Sequence, residues 1–248
     1  MSKVLEYLLD VRKKKGAGYL VLIDPDRKND GILDDLVPAV NESNVDAILV
    51  GGSLFMDGKF HERAAQIKEL SKVPVILFPG AANQLGPHFD ALLFMSVISG
   101  RNANYLIGEQ VISAPIVKSL ELEPISTGYM LFEGGGSSTV EFMSNTRPLP
   151  MNRPELAVAH GLAAQYLGMK LLYLEAGSGA KESIPTETIR AVTSETTLPA
   201  IVGGGICTPD LAREKVEAGA SFVVTGTVVE NADDFSILAK FASAIHGE

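Results

Sequence analysis

Little in this sequence could brace it covalently or carry it across a bilayer. It has one cysteine, Cys207, in 248 residues. That excludes an intrachain disulfide and agrees with a reducing cytoplasm. No apolar run approaches the roughly 20 residues of a membrane span. The first stretch, MSKVLEYLLDVRKKKGAG, places its basic cluster after its apolar residues, the reverse of a secretory signal. The expectation is a soluble, cytoplasmic protein whose only membrane contact would be peripheral. Basic charge is also scarce: 21 Lys and Arg against 30 Asp and Glu leave a net −9. With no dense basic stripe, a nucleic-acid surface is not expected. The histidines, His61, His88, His160 and His246, lack metal-ligand spacing among themselves or with Cys207 and read as surface or packing residues. RKKKG (12–16) reads as a solvated helix end, favourable at the negative pole of the helix dipole. No internal linker, short-period repeat or second domain is visible, so a single domain is expected over residues 1–248.

What is present is apolar and periodic. At 46% hydrophobic and 21% charged the chain can bury a substantial core. Eight near-continuously apolar runs suit strands buried on both faces of a parallel sheet. They are GYLVLID (18–24), DAILVGG (46–52), VPVILFPG (73–80), ALLFMSV (91–97), EPISTGYMLF (123–132), KLLYLEAG (170–177), LPAIVGGG (198–205) and SFVVTGT (221–227). Helical patterns separate them. RPELAVAHGLAAQYLG has a proline at its start and a glycine at its end, and TPDLAREKVEAGA offers Thr208 as N-cap before Pro209. A final helix carries a stripe of Phe235, Leu238, Phe241 and Ile245. This rhythm predicts an α/β fold, a modified TIM (β/α)₈ barrel. It has an extra N-terminal helix covering the barrel bottom. AANQLGPHFD, between the third and fourth strands, is too short and broken for a full crossover helix, so a degenerate third helix is expected.

In such barrels chemistry sits at the C-terminal strand ends, with phosphate often bound after the last strands. Three successive ends here are glycine-rich: EAGSGA, VGGGI and TGT. The backbone amides of Ser178, Gly179, Gly204, Gly205, Gly226 and Thr227, with the Ser178 and Thr227 hydroxyls, are predicted to converge on a phosphate.

These motifs, YLEAGSGA, IVGGGI and TGT with LIDPD on the first strand, resemble the geranylgeranylglyceryl phosphate synthase family over nearly the whole chain. The length and RPELAVAHGLAAQYLGMKLLYLEAGSG resemble its second, larger-subunit group. The resemblance implies a Mg²⁺-dependent prenyltransferase of ether-lipid synthesis. It would join a polyprenyl diphosphate, geranylgeranyl favoured, to the primary hydroxyl of sn-glycerol 1-phosphate and release diphosphate. It further implies Mg²⁺ on Asp24 and Ser53, although on sequence alone Asp26 is the better ligand. It implies glycerol phosphate along Tyr173, Leu174, Glu175, Ala176, Gly177, Ser178 and Gly179 as well as on the later glycines, and a homo-oligomer, a dimer or hexamer.

Glu175 ends the sixth strand beside the expected cradle, where it would act as general base or bind only the glycerol 2-hydroxyl. Tyr173 shares its face by the two-residue strand period and would donate to phosphate or hydroxyl. An apolar groove for the tail is expected from Met95, Val97, Tyr129, Leu131 and Phe132, with Tyr105 at its floor. Residues 133–142 form a glycine-rich loop, either a lid or a surface connection. The rivals are a longer, heptaprenyl donor, a sugar-phosphate aldolase or isomerase barrel, a flavin barrel, and a non-catalytic phosphate-binding scaffold. A Schiff-base aldolase would need a strand-end lysine, which none of these runs supplies.

Overall fold

The structure is a computed structural model that describes residues 3–247. Its eight strands are β1 (Gly18–Ile23), β2 (Ala47–Val50), β3 (Val75–Leu77), β4 (Ala91–Val97), β5 (Glu123–Leu131), β6 (Leu171–Glu175), β7 (Ala200–Gly203) and β8 (Phe222–Thr225). Each pairs in parallel with its sequence neighbours and β8 returns to β1, closing the barrel. The strands are shorter than the apolar runs, mainly because the glycine- and proline-rich ends leave the ladder and turn into the rim loops.

The helices are α1 (Lys3–Lys15), α2 (Leu33–Glu42), α3 (Phe60–Leu70), α4 (Glu109–Ser119), α5 (Thr139–Ser144), α6 (Pro154–Tyr166), α7 (Thr186–Glu195), α8 (Pro209–Glu217), α9 (Thr227–Glu230) and α10 (Ile237–His246). Between β3 and β4 there is only a single 3₁₀ turn, Ala82–Gln84, as the short connection predicted. Thr208 caps α8 by accepting from the Leu211 amide at 3.2 Å. The closing stripe is shorter than expected: Phe235 lies before α10, which buries Leu238, Phe241 and Ile245.

Two apolar layers follow from the strand period. Residues such as Leu172, Leu174 and Val202 pack outward against the helices, while Leu20, Leu49, Tyr173, Ile201 and Val224 fill the barrel. Val4 and Leu8 of α1 join the interior cluster, and the Val4 and Leu5 amides donate to Glu123 at the start of β5. The N-terminal helix therefore plugs the barrel bottom. One expectation is met there and one is corrected. His246 is a packing histidine, buried against Asp46 at 2.8 Å, and Asp46 also accepts from the Tyr19 amide. Lys15, in the run read as solvated, reaches the same carboxylate at 2.6 Å. One buried aspartate thus joins α1, β1 and α10.

Candidate active site

The C-terminal rim opens into a cavity of about 710 Å³ walled by residues from all eight strand ends. Its walls divide by chemistry. On the side of β6 to β8 lie Ser178, Gly179, Gly204, Gly205, Gly226 and Thr227. Among the described residues, the amides of Ser178, Gly179, Gly204, Gly205 and Gly226 donate to no backbone carbonyl. The Ser178 and Thr227 hydroxyls stand 3.3 Å apart. Gly204 is a position where glycine is required. Its φ of +83° is left-handed, and a Cβ there would meet Glu175 Oε1 at 2.5 Å and the Gly177 nitrogen at 2.8 Å.

Glu175 closes β6 facing inward, in register with Leu131 on one side and Gly203 on the other. It is 6% exposed and accepts from the Gly177 amide at 2.6 Å. Burial pushes its carboxyl up to about 7, against the pull of that amide and of the Tyr173 hydroxyl. The Tyr173 hydroxyl is near enough to favour the charged carboxylate but lies outside hydrogen-bonding geometry, so its buried oxygen has no protein partner. Burial, with Glu175 beside it, holds this phenol well above its ordinary value, so it stays protonated as a donor. Phe78 stacks on its ring at 4.9 Å and Tyr129 tilts against it at 5.6 Å, which fixes the orientation.

The acidic corner lies at β1. Asp24 follows the strand, and its amide donates to Glu230 Oε1 at 2.9 Å. Asn29 donates to the same oxygen at 2.7 Å, and Lys28 Nζ bridges Glu230 Oε2 at 3.0 Å and Asp24 Oδ2 at 3.3 Å. Burial, reinforced by Glu230, pushes Asp24 up to about 6. Its Oδ1 points toward the β2 loop, only 3.3 Å from where a Gly52 Cβ would stand, and Ser53, the next residue of that loop, lines the same cavity. Asp26 also lines the cavity, but its carboxylate is engaged as the cap of the 3₁₀ turn that follows, accepting from the Lys28 amide. Among the described residues no group of three or more His, Cys, Asp or Glu side chains gathers as a metal cluster.

The apolar wall carries Met95, Val97, Tyr105 and Tyr129 from the predicted groove. Leu131 and Phe132 are not on it. Leu131 is fully buried in the interior cluster, and Phe132, one residue further along a period of two, turns outward into the helix layer. The same period removes Leu174, whose side chain faces the helices. Ala176 and Gly177 also do not line the cavity: the Ala176 amide bonds Gly203 and the Gly177 amide bonds Glu175. They shape the loop rather than present donors.

Sequence reasoning missed Lys28, Glu230, Leu54, Phe55, Phe78, Val140 and Met143 on the walls. For Phe78 the signal existed, since it ends an apolar run just before Pro79. Residues 133–142 are more than a connection. Ser138 caps α5, which sets Val140 and Met143 on the cavity, and Gly134 packs so closely on Ala176 that a Cβ would fall 2.0 Å from its carbonyl oxygen.

Comparison with known proteins agrees with this geometry. Residues 9–244 match the model of the PcrB family. A geranylgeranylglyceryl phosphate synthase of Chitinophaga pinensis is 41% identical over 245 residues, 99% of this chain and 96% of that one. One of Pyrococcus horikoshii is 41% identical over 246 residues, again 99% and 96% of the two chains. Among solved structures, (S)-3-O-geranylgeranylglyceryl phosphate synthase from Thermoplasma acidophilum, in complex with sn-glycerol-1-phosphate, superposes with a TM-score of 0.88 at 31% identity. That match covers 97% of this chain and 98% of the other.

Proposed function

This chain belongs to the PcrB family, and from that premise we propose that its barrel mouth is a Mg²⁺-assisted prenyl transfer site in which Glu175 readies the acceptor hydroxyl. The reaction is prenylation of glycerol phosphate, giving a polyprenyl glyceryl phosphate ether. The observation that carries the assignment of residues is a convergence in one cavity. A buried carboxylate at Glu175, the unpartnered Tyr173 hydroxyl and a row of uncommitted amides share the side of β6 to β8.

The phosphate of sn-glycerol 1-phosphate sits on the amides of Ser178, Gly179, Gly204, Gly205, Gly226 and Thr227. Its primary hydroxyl reaches Glu175, which accepts the proton as the oxygen attacks the allylic carbon. Such a base contributes typically ~10²–10⁴-fold. Tyr173 orients the glycerol by donating to it. The electron pair of the breaking C–O bond leaves with diphosphate. Asp24 and Ser53 would hold Mg²⁺, a hard cation content with one or two protein oxygens, which neutralises the leaving diphosphate when bound. Two oxygen ligands suffice for that role, so the donor set fits. The tail lies along Phe78, Met95, Val97, Tyr105 and Tyr129, which form the apolar wall of the cavity.

The donor is geranylgeranyl diphosphate, the reading supported by the names of the relatives. The site works in a single barrel domain in the cytoplasm; no described helix is long and apolar enough to cross a membrane. A homo-oligomer is supported by exposed Ile107, Val111, Ile112 and Ile116 on and just before α4. The test is incubation with Mg²⁺, labelled sn-glycerol 1-phosphate and prenyl diphosphates of graded length. Label entering organic solvent with the C20 donor preferred supports the reading. Preference for a heptaprenyl donor corrects the tail length, and no transfer with any donor refutes it.

A further inference from the structure

The walls of the cavity are short of positive charge for two phosphorylated substrates. Four carboxylates line it, Asp24, Asp26, Glu175 and Glu230, and among the described residues Lys28 is the one cationic side chain that does. The glycerol phosphate corner is built from neutral amides and hydroxyls. The donor's diphosphate must therefore find its positive partners at the other corner, beside Asp24.

We infer that Lys28 is a diphosphate-binding residue that changes partners when the donor arrives. The inference rests on the prenyl transfer reading above. The side chain is 53% exposed, so its flexible stem can move. Its ammonium lies between two carboxylates of unequal standing. Glu230, 4% exposed, is pinned through Oε1 by the Asp24 amide and Asn29, and presents Oε2 to Lys28 at 3.0 Å. Asp24 offers the longer contact, 3.3 Å. With Asp24 holding a cation, the Lys28 ammonium would give up that longer contact, whereas Glu230 would keep it tethered at the cavity wall. The lysine then points a compact, strongly hydrogen-bonding charge at the anion that gathers electrons as the allylic C–O bond breaks. The bond pair stays on the diphosphate oxygen, the acceptor proton goes to Glu175, and Lys28 donates hydrogen bonds without surrendering a proton.

A purely structural role is the competing possibility, because Lys28 also joins the β1 loop to α9. Calorimetry separates them. Inorganic diphosphate with Mg²⁺, and separately sn-glycerol 1-phosphate, are titrated into the wild type, Lys28→Met and Lys28→Arg. The expected result is a loss of diphosphate affinity of at least about 10-fold in Lys28→Met, partial recovery in Lys28→Arg, and glycerol phosphate affinity within about twofold throughout. In turnover, Lys28→Met should lower kcat/KM for the prenyl donor and leave KM for glycerol phosphate in place. Unchanged diphosphate affinity in Lys28→Met overturns the inference while leaving the wider reading standing. Parallel loss of both ligands also overturns it, since that marks a structural clasp. A wild type that binds neither diphosphate nor glycerol phosphate removes the prenyl transfer reading as well.

Discussion

Replacing Glu175 by glutamine should make the protein inactive and more stable at once, and the second effect should depend on pH in a defined direction. The carboxyl is pushed from 4.5 up to about 7 by burial. Between those values the folded protein holds a proton that the unfolded chain has released. Stability is therefore fullest below about pH 4.5, falls as pH rises through the window, and levels off above about 7. A shift of about 2.5 units corresponds to about 3 kcal/mol, an upper figure because glutamine, unlike the protonated carboxyl, must bury an NH₂ group with two donors. Glutamine carries no charge at any pH. Glu175→Gln should thus gain up to about 3 kcal/mol at pH 8 and almost nothing at pH 4.5. For a chain of this size that is several degrees in Tm.

Thermal melts at the two pH values check the stability half; steady-state kinetics check the other. The wild type should lose kcat/KM about tenfold per pH unit below about 7, and the variant should lack that limb while running ~10²–10⁴-fold slower. An equal Tm difference at both pH values would show that Glu175 is not titrating as a buried acid. A variant with normal kcat and raised KM would reduce it to a ligand of the glycerol 2-hydroxyl.

Other perturbations test other parts of the rim. Gly204→Ala should lose activity by about 10²-fold or more, because its Cβ displaces both Glu175 and the neighbouring amides. Gly168→Ala, with a similar φ of +81° and open space around it, should cost only about 1 kcal/mol in a melt and leave turnover intact. Equal activity in the two variants would refute the steric account. Asp24→Asn should abolish Mg²⁺-dependent turnover while calorimetry still finds glycerol phosphate binding; retained turnover removes Asp24 from the metal. Arg63, buried on α3, pairs with Asp30 beyond β1 and Asp57 beyond β2, so it ties together the loops carrying Asp24 and Ser53. Arg63→Met should raise the Mg²⁺ concentration needed for half-maximal rate and spare glycerol phosphate affinity. An unchanged Mg²⁺ requirement would mean the loops hold without it.

The barrel was readable because its signals are local. Each strand is a short apolar run that stops in residues with special backbone freedom, and the broken stretch 81–90 could not supply a crossover helix. The inward pairing of Tyr173 with Glu175 followed from the strand period alone. That same period, applied at the end of β5 and to Leu174, would have turned Phe132 and Leu174 outward. The motif assigns Leu174 to the site, and Phe132 is assigned as an apolar residue at a strand end, in neither case from the geometry. Leu131 differs: its inward direction was right, but packing covers it before it reaches the cavity. Residues 133–142 hid α5 because glycines dominate the composition while the helix needs only the Ser138 cap and six residues.

The acidic corner shows what no local pattern carries. Lys28 and Glu230 are 202 positions apart, and they meet because β1 and β8 are the two strands that close the barrel. Neither residue sits in a motif, and each alone reads as a surface charge. Closure places the loop after the first strand beside the loop after the last, so the proposed donor site at Asp24 and the proposed acceptor cradle at Gly226 and Thr227 become neighbours. On the proposed reading, the distance between the two anionic substrates would then be set by barrel geometry, not by a flexible loop. On this view a change that loosens the β1–β8 seam should harm transfer more than it harms the binding of either substrate. Tyr19 supplies a test, since its buried hydroxyl bonds Thr225 at 2.7 Å across that seam. Tyr19→Phe removes one buried hydrogen bond, about 1 kcal/mol. It should lower kcat while leaving both dissociation constants nearly unchanged, and a proportional loss of binding would refute the idea.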